Sequence, residues 1–242
     1  MALSPFHFKK FSVEQAGAVH PVGTDAVLLG ASISLFGASR LLDIGTGTGV
    51  VALMLAQRLA GAGVRDWTGT GVEMHAGTAA LARQNFQNSL WAPQLEVWEG
   101  PIQAFSATER FDLIVSNPPF FSEKTKSPDA TRHLGRHTDS LSSEELLQAV
   151  ARLLAKNGRF WVILPVQEGQ RLCALAVPLG LYWTHIVNIF ARPGKPPERQ
   201  LIQFERTSTR LQRSTLLLYA QAKGNAYSAD FQALTGDFYL GG

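Results

Sequence analysis

The sequence predicts an α/β fold built on a mainly parallel, doubly wound sheet of about seven strands. Three observations point to it. From residue 40 onward, short apolar runs alternate with stretches of helical length, a rhythm that implies parallel strands joined by helical crossovers. A glycine-rich turn, Gly45-Thr46-Gly47-Thr48-Gly49, joins the first apolar run to the first helix after it. Acidic residues, Asp43 and Glu73, close the first two runs, at the carboxyl strand ends where open sheets of this kind bind ligands.

Each element follows from its own residues. RLLDIG (40–45) reads as a buried strand, and VVALMLAQRLAG (50–61) as a helix that stops at Gly61. WTGTGVEM (67–74) is the next strand and AGTAALARQNFQNS (76–89) the next helix. QLEVWEG (94–100) and RFDLIVSN (110–117) are strands three and four. SSEELLQAVARLLAKNG (142–158) opens with a capping box, Ser142 and Glu145, and is expected to run to Gly158. RFWVILP (159–165) is strand five, and runs near 181–190, 199–205 and 214–221 also look extended. ARPGKPPER (191–199) is a loop by its proline and glycine content. Before residue 40 the pattern changes. FHFKKFSV (6–13) alternates as a hairpin-like segment, and VGTDAVLLGASISLF (22–36) reads as a turn into a helix with Thr24 or Asp25 as N-cap. Residues 1–39 are therefore expected to form an N-terminal extension, and 40–242 the main domain.

Composition narrows the function classes. The chain has 242 residues, 45% of them hydrophobic, enough for a full core. Its single cysteine, Cys173, sits in the apolar LCALAV stretch and reads as a core side chain, which suits the cytoplasm. The start MALSPFHFKK lacks a signal-peptide run, and no stretch nears 18 consecutive apolar residues, so no membrane role is expected. The formal charge is +3. Two segments concentrate the positive residues: Lys124, Lys126, Arg132, His133, Arg136 and His137, and then Arg192, Lys195, Arg199, Arg206, Arg210 and Arg213. They read either as solvated faces or as phosphate-contacting surfaces beside a site.

The glycine turn is sharpened by its acids. Gly45, Gly47 and Gly49 follow a Gly-x-Gly-x-Gly spacing, not the Gly-x-Gly-x-x-Gly of dinucleotide enzymes. A pyrophosphate would be repelled by Asp43, whereas a cationic amine would be welcomed there. Glu73 is placed to accept hydrogen bonds from a ribose. S-adenosylmethionine carries both groups and is preferred over NAD.

SNPPFF (116–121) follows strand four into the same crevice. The Asn117 side-chain oxygen and the Pro118 carbonyl can both accept from one NH2 group. Phe120 then offers a face for a planar base, worth roughly 1–3 kcal/mol of stacking. A stiff turn with an aromatic plug is the plainer reading of these residues. Phe121 is a second wall or core. His20, His133 and His137 are candidates for a catalytic histidine, although surface histidines are commoner.

DIGTGTG together with SNPPFF resembles the Rossmann-like, class I amino-methyltransferases. FHFKKFSV, VGTDAVLLGA, RHTDSLSSEELL and YSADFQALTGDFYL extend the likeness, and the chain resembles the bacterial valine-tRNA adenine-37 N6-methyltransferase family over nearly its whole length. The resemblance implies methyl transfer from S-adenosylmethionine to an adenine N6 in a tRNA anticodon loop, with no metal and no obligate protein partner. It implies Asn117, Pro118 and Phe120 as catalytic positions. It places Gly23, Thr24 and Asp25 over the cofactor, beside Asp43, Gly45, Gly47, Gly49, Glu73, Ile102 and Asn117. It gives the RNA-facing role to Lys124, Lys126, Arg132, Arg136, Arg199, Arg206 and Arg210. One position departs from the family, which usually has an Asp-Ile-Gln stretch facing the cofactor adenine. Here Pro101 stands in the aspartate's place, and Glu99 or Gln103 is left to supply the polar contact, with the Ile102 backbone against the ring. Two rival readings share the fold: an N5-glutamine methyltransferase acting on a protein, which normally carries a helical domain ahead of this core, and a non-catalytic RNA-binding module.

Overall fold

The computed structural model describes residues 3–35, 37–119 and 141–240. Its centre is an eight-stranded sheet in the order β10-β8-β9-β7-β6-β3-β4-β5. The strands are β3 (Arg40–Ile44), β4 (Thr68–Glu73), β5 (Leu95–Glu99), β6 (Phe111–Ser116), β7 (Leu154–Pro165), β8 (Tyr182–Phe190), β9 (Arg199–Glu205) and β10 (Gln212–Leu217). Only β9 runs antiparallel, between β7 and β8. A two-stranded hairpin, β1 (Phe6–His7) and β2 (Ser12–Val13), precedes the sheet. The chain crosses from β3 to β4 on one side, and β6 pairs with β3 on the other. The connections therefore diverge at the carboxyl ends of β3 and β6, and a crevice opens there.

Helices cover both faces. Helix α1 (Thr24–Ser32) and α2 (Val50–Gly61) share one core with Leu41, Leu113, Trp161 and Ile163, and Phe86 of α3 (Ala76–Gln87) joins it. On the opposite face α4 (Ser143–Leu153) and α5 (Val166–Ala176) bury Leu146, Val150 and Leu172 against Leu42, Phe160 and Ile202. The alternation of Phe160, Val162 and Leu164 with Trp161 and Ile163 along β7 feeds both cores, as a strand buried on two faces must. No helix among the described residues is long and apolar enough to cross a membrane.

The N-terminal residues share the main core. Phe8, Phe11 and Val13 are buried with α1 and α2, and Phe8 bridges to Tyr239 after α6 (Ala229–Thr235). Lys9 N–H donates to the Phe238 carbonyl at 2.8 Å. The chain's two ends thus close on each other, and residues 1–39 are not set apart.

Several element boundaries differ from the sequence reading. The sheet has one strand more than about seven, because β10 lies along β8 as an edge. Helix α4 keeps its Ser142–Glu145 capping box but ends at Leu153, and β7 starts at Leu154. Gly158 lies within β7. A Cβ there would come 2.9 Å from the Phe111 carbonyl oxygen, so this glycine serves close strand approach instead of ending a helix. Helix α5 had no counterpart in the sequence reading. Helix α1 is capped by Gly23, without a side-chain cap bond from Thr24 or Asp25.

Candidate active site

Strand β3 ends in a turn whose three glycines all have left-handed backbones, φ 71 at Gly45, 56 at Gly47 and 84 at Gly49. The turn is folded back onto β4. Gly45 and Thr46 N–H groups both donate to the Val72 carbonyl, at 2.9 and 3.0 Å. Gly71 in β4 permits this approach, since a Cβ there would sit 2.8 Å from the Thr46 side chain. Around Gly45 and Gly47 nothing lies within 4 Å of where a Cβ would project. Gly49 is different: it does not line the cavity described below, and a Cβ on it would meet the Phe86 ring at 2.5 Å. Its expected place against a cofactor is corrected accordingly. Gly49 is a packing position that seats α2 on α3.

Both acids are buried, Asp43 3% exposed and Glu73 7%. Glu73 shapes the turn. Its Oε2 accepts from Gly47 N–H at 3.0 Å and its Oε1 from His75 N–H at 3.0 Å. Asp43 accepts from the Thr46 hydroxyl at 2.7 Å, and no cation among the described residues pairs with it. Burial pushes its carboxyl up to about 7, against the lowering effect of the Thr46 bond, and the charge of Glu73 adds to the rise. A buried acid in this state lacks one thing, a positive partner.

Strand β6 delivers the third group. Ser116 pairs with Ile44 in the sheet and its hydroxyl donates to the Ile44 carbonyl at 2.8 Å. Asn117, half-buried, and Pro118, buried, therefore emerge beside the glycine turn. A cavity of about 820 Å³ gathers these pieces. Its walls include Gly23, Thr24 and Asp25 from the start of α1, Asp43, Gly45 and Gly47, Glu73 and His75, Gly100 to Gln103 after β5, and Asn117 to Pro119. The arrangement presents a buried acid for a cation, a second acid, the uncapped start of a helix, and an apolar shelf at Ile102, which is 4% exposed.

Thr46, His75, Gln103 and Leu141 also face the cavity and were not among the expected binding residues. His75 follows Glu73 by two positions and caps α3, and that spacing was its only signal. His20 lines the cavity as well. Among the described residues no cluster of three His, Cys, Asp or Glu is arranged to hold a metal ion. Cys173 lies half-buried on α5, its thiol pushed up to about 11 chiefly by burial. Phe120, Phe121, Lys124, Lys126, Arg132, Arg136, His133 and His137 lie outside the described residues.

The arginines after residue 190 do not form one RNA-facing surface. Strand β9 is antiparallel, so its ends reach opposite edges of the sheet. Arg199 pairs with Pro165 at the carboxyl edge, and there its Nε donates to Asp25 Oδ2 at 2.9 Å. Arg206 lies beyond the other end, roughly 20 Å away. Its Nε and Nη2 donate to the Leu154 carbonyl and its Nη2 also to that of Ala151, capping the end of α4. Arg210 is exposed just before β10, whose first residue Gln212 pairs with His185 near the start of β8. The expectation that Arg199, Arg206 and Arg210 flank the site together is thereby overturned. Arg192 is also engaged, lying 4.4 Å over the Tyr219 ring and donating to the Gln221 and Gly224 carbonyls.

Comparison with known proteins gives a consistent result. The methyltransferase small domain family matches residues 23–171. A tRNA1(Val) (adenine(37)-N6)-methyltransferase of Bacteroides thetaiotaomicron is 39% identical over 240 residues, covering 99% of both chains. Its counterpart from Trichodesmium erythraeum is 38% identical over 242 residues, again covering 99% of both. Among solved structures, a predicted O-methyltransferase from Agrobacterium tumefaciens superposes with TM-score 0.65 at 20% identity, covering 88% of this chain and 96% of that one. A putative class I S-adenosylmethionine-dependent methyltransferase from Listeria monocytogenes has TM-score 0.58 at 15% identity, covering 90% and 71%. These two share the fold.

Proposed function

The chain belongs to the methyltransferase small domain family and, within it, to the tRNA1(Val) (adenine(37)-N6)-methyltransferases, and we propose from this and the site that it acts as they do. It is an enzyme that transfers a methyl group from S-adenosylmethionine to the exocyclic N6 of an adenine in tRNA. Its target is adenine 37 in the anticodon loop of valine tRNA, which places it in the cytoplasm. The observation that carries this reading is one cavity lined by Asp43, Glu73, Asn117 and Pro118 together.

The residues present fit the cofactor. S-adenosylmethionine supplies a methyl group already activated on a sulfonium. Asp43 is a buried acid in want of a cation, and the amino group of the methionine part supplies one. The α1 start, capped only by Gly23, leaves N–H groups for the carboxylate beside that amine. Glu73 keeps acceptor capacity for ribose hydroxyls beyond the two backbone bonds it takes. Gly45 and Gly47 let the ligand approach the backbone.

Asn117 and Pro118 act on the substrate. The Asn117 side-chain oxygen and the Pro118 carbonyl accept the two hydrogens of the adenine amine. That amine is a weak nucleophile because its lone pair is drawn into the ring. Two acceptors on its hydrogens favour a pyramidal nitrogen with the lone pair aimed at the methyl. The work of the protein is positioning and electrostatics. The target base leaves its stack to enter the cavity, and Phe120 offers the ring face that holds it.

The reading is tested by incubating the purified protein with labelled S-adenosylmethionine and an unmodified valine tRNA transcript. Digestion should give N6-methyladenosine, and a transcript with guanosine at position 37 should stay unlabelled. Label on a protein glutamine, or none on tRNA, would overturn it.

A further inference from the structure

The wall after β5 carries a specificity device that the family pattern does not require. Gly100 N–H donates to the Glu73 carbonyl at 2.9 Å, so residues 100–103 stand directly beyond the ribose-facing acid, where the cofactor's base would lie. Pro101 has neither a carboxylate nor an N–H to offer that base. Glu99 is absent from the cavity wall and pairs with Arg83 at 3.5 Å. Gln103 does line the cavity.

The loop is held firmly by α4. Arg152 donates from Nη1 to the Phe105 carbonyl at 2.6 Å and from Nη2 to the Ile102 carbonyl at 3.1 Å. One turn away, the Gln103 side chain hydrogen-bonds the Glu145 carboxylate. That bond decides the orientation of the amide. Glu145 is held ionised, below the usual carboxylate range, by the Ser142 backbone N–H, the Gln103 amide and the Ser142 hydroxyl. An ionised carboxylate only accepts, so Gln103 must turn its NH2 to Glu145. Its Oε1 is then the free acceptor.

We propose that Gln103 reads the exocyclic amine of the cofactor's adenine through Oε1, with Glu145 as the positioning residue that fixes which end of the amide faces the cavity. The proposal rests on the S-adenosylmethionine reading above. It assigns to Gln103 the contact that Pro101 cannot make.

Calorimetry with S-adenosylhomocysteine and S-inosylhomocysteine tests it, since the second places an oxygen acceptor where the first has an amine donor. The wild type should prefer the adenine compound by roughly 10- to 100-fold, the range for a lost bond that leaves two acceptors opposed. Gln103→Met keeps the length of the side chain and should abolish the preference. Glu145→Gln preserves the capping box, because its amide oxygen can stay on Ser142 N–H. Its NH2 then faces Gln103 and turns that amide around, so the preference should shrink or invert toward the hypoxanthine compound. Equal binding of both compounds by the wild type overturns the role of Gln103 and leaves the cofactor reading standing. An unchanged preference in Gln103→Met does the same. Failure to bind S-adenosylhomocysteine at all would instead overturn the cofactor reading and the proposal with it.

Discussion

Arg199 Nε donates to Asp25 Oδ2 at 2.9 Å, joining the first residue of β9 to the first turn of α1. Asp25 lines the cavity and Arg199 braces it from behind. The pair is partly exposed, so its coupling should be modest, about 0.5–1 kcal/mol in a double-mutant cycle. Arg199→Met should weaken S-adenosylhomocysteine binding a few-fold and leave the salt dependence of tRNA binding unchanged. Weaker tRNA binding with intact cofactor affinity would return Arg199 to the RNA surface.

Asp43 makes cofactor binding pH-dependent. Burial, opposed by the Thr46 bond, raises its carboxyl from 3.8 to about 7. A group raised on folding stabilises the protein when protonated. That contribution is complete below about pH 4 and is lost as pH climbs through 7. Asp43→Asn should therefore be more stable than wild type at pH 8 in the absence of ligand, by at most about 4 kcal/mol. A cationic ligand needs the ionised acid, so S-adenosylhomocysteine affinity should rise from pH 6 to pH 7, approaching tenfold, and level off above. Calorimetry across that range decides it; a flat profile would mean that the amine is held elsewhere.

Arg206 and Arg210 separate stability from RNA binding. Arg206→Ala removes a cap on the last carbonyls of α4 and should cost about 1–3 kcal/mol in denaturant melts. Arg210→Ala should cost nothing measurable. Neither should alter tRNA affinity or its salt slope, because both lie at the sheet edge away from the cavity. A reduced slope in either variant would place RNA at that edge.

What the sequence made legible was local. The glycine turn, the Ser142–Glu145 capping box and the strand running into Asn117 are each written within a few residues. What it hid was set by distant chain. Asp25 and Arg199 are 174 positions apart. Gly158 looked like a helix stop because the carbonyl of Phe111 that demands a glycine comes from another strand. Helix α5 was missed because it touches β9 through Gly169, whose missing Cβ makes room for Ile202 and Gln200. A glycine inside a helix reads as a breaker when its neighbour is unknown.

Gly47 and Gly49 should fail in different ways. Gly49→Ala combines a left-handed backbone with a Cβ driven into Phe86. It should lower stability by roughly 2–4 kcal/mol. Gly47→Ala meets no atom, so only the backbone strain of about 1–2 kcal/mol remains. Its methyl stands at the cavity, so cofactor affinity should fall more than stability. Thermal melts paired with calorimetry on both variants separate the two roles; equal losses of affinity would return Gly49 to the cofactor.

Asn117 carries the sharpest test of mechanism. Ser116 fastens the end of β6 to Ile44, so the position of residue 117 is set by the sheet and should survive a change of side chain. Asn117→Ala then removes one of two acceptors on the adenine amine and little else. If those acceptors act mainly as the nitrogen turns pyramidal, the loss appears in the rate of methyl transfer. The expected drop is roughly 10²–10³-fold, the scale found when one preorganised polar contact to a transition state is removed. S-adenosylhomocysteine affinity should barely move, because the substrate takes that side chain. Asn117→Asp keeps an acceptor of the same reach and should retain more activity than Asn117→Ala where the acid is ionised. Single-turnover transfer to unmodified tRNA, with the product digested to nucleosides, gives the rate directly. A near-normal rate in Asn117→Ala, with cofactor bound and melting unchanged, would reduce the motif to a stiff turn and remove Asn117 from the chemistry.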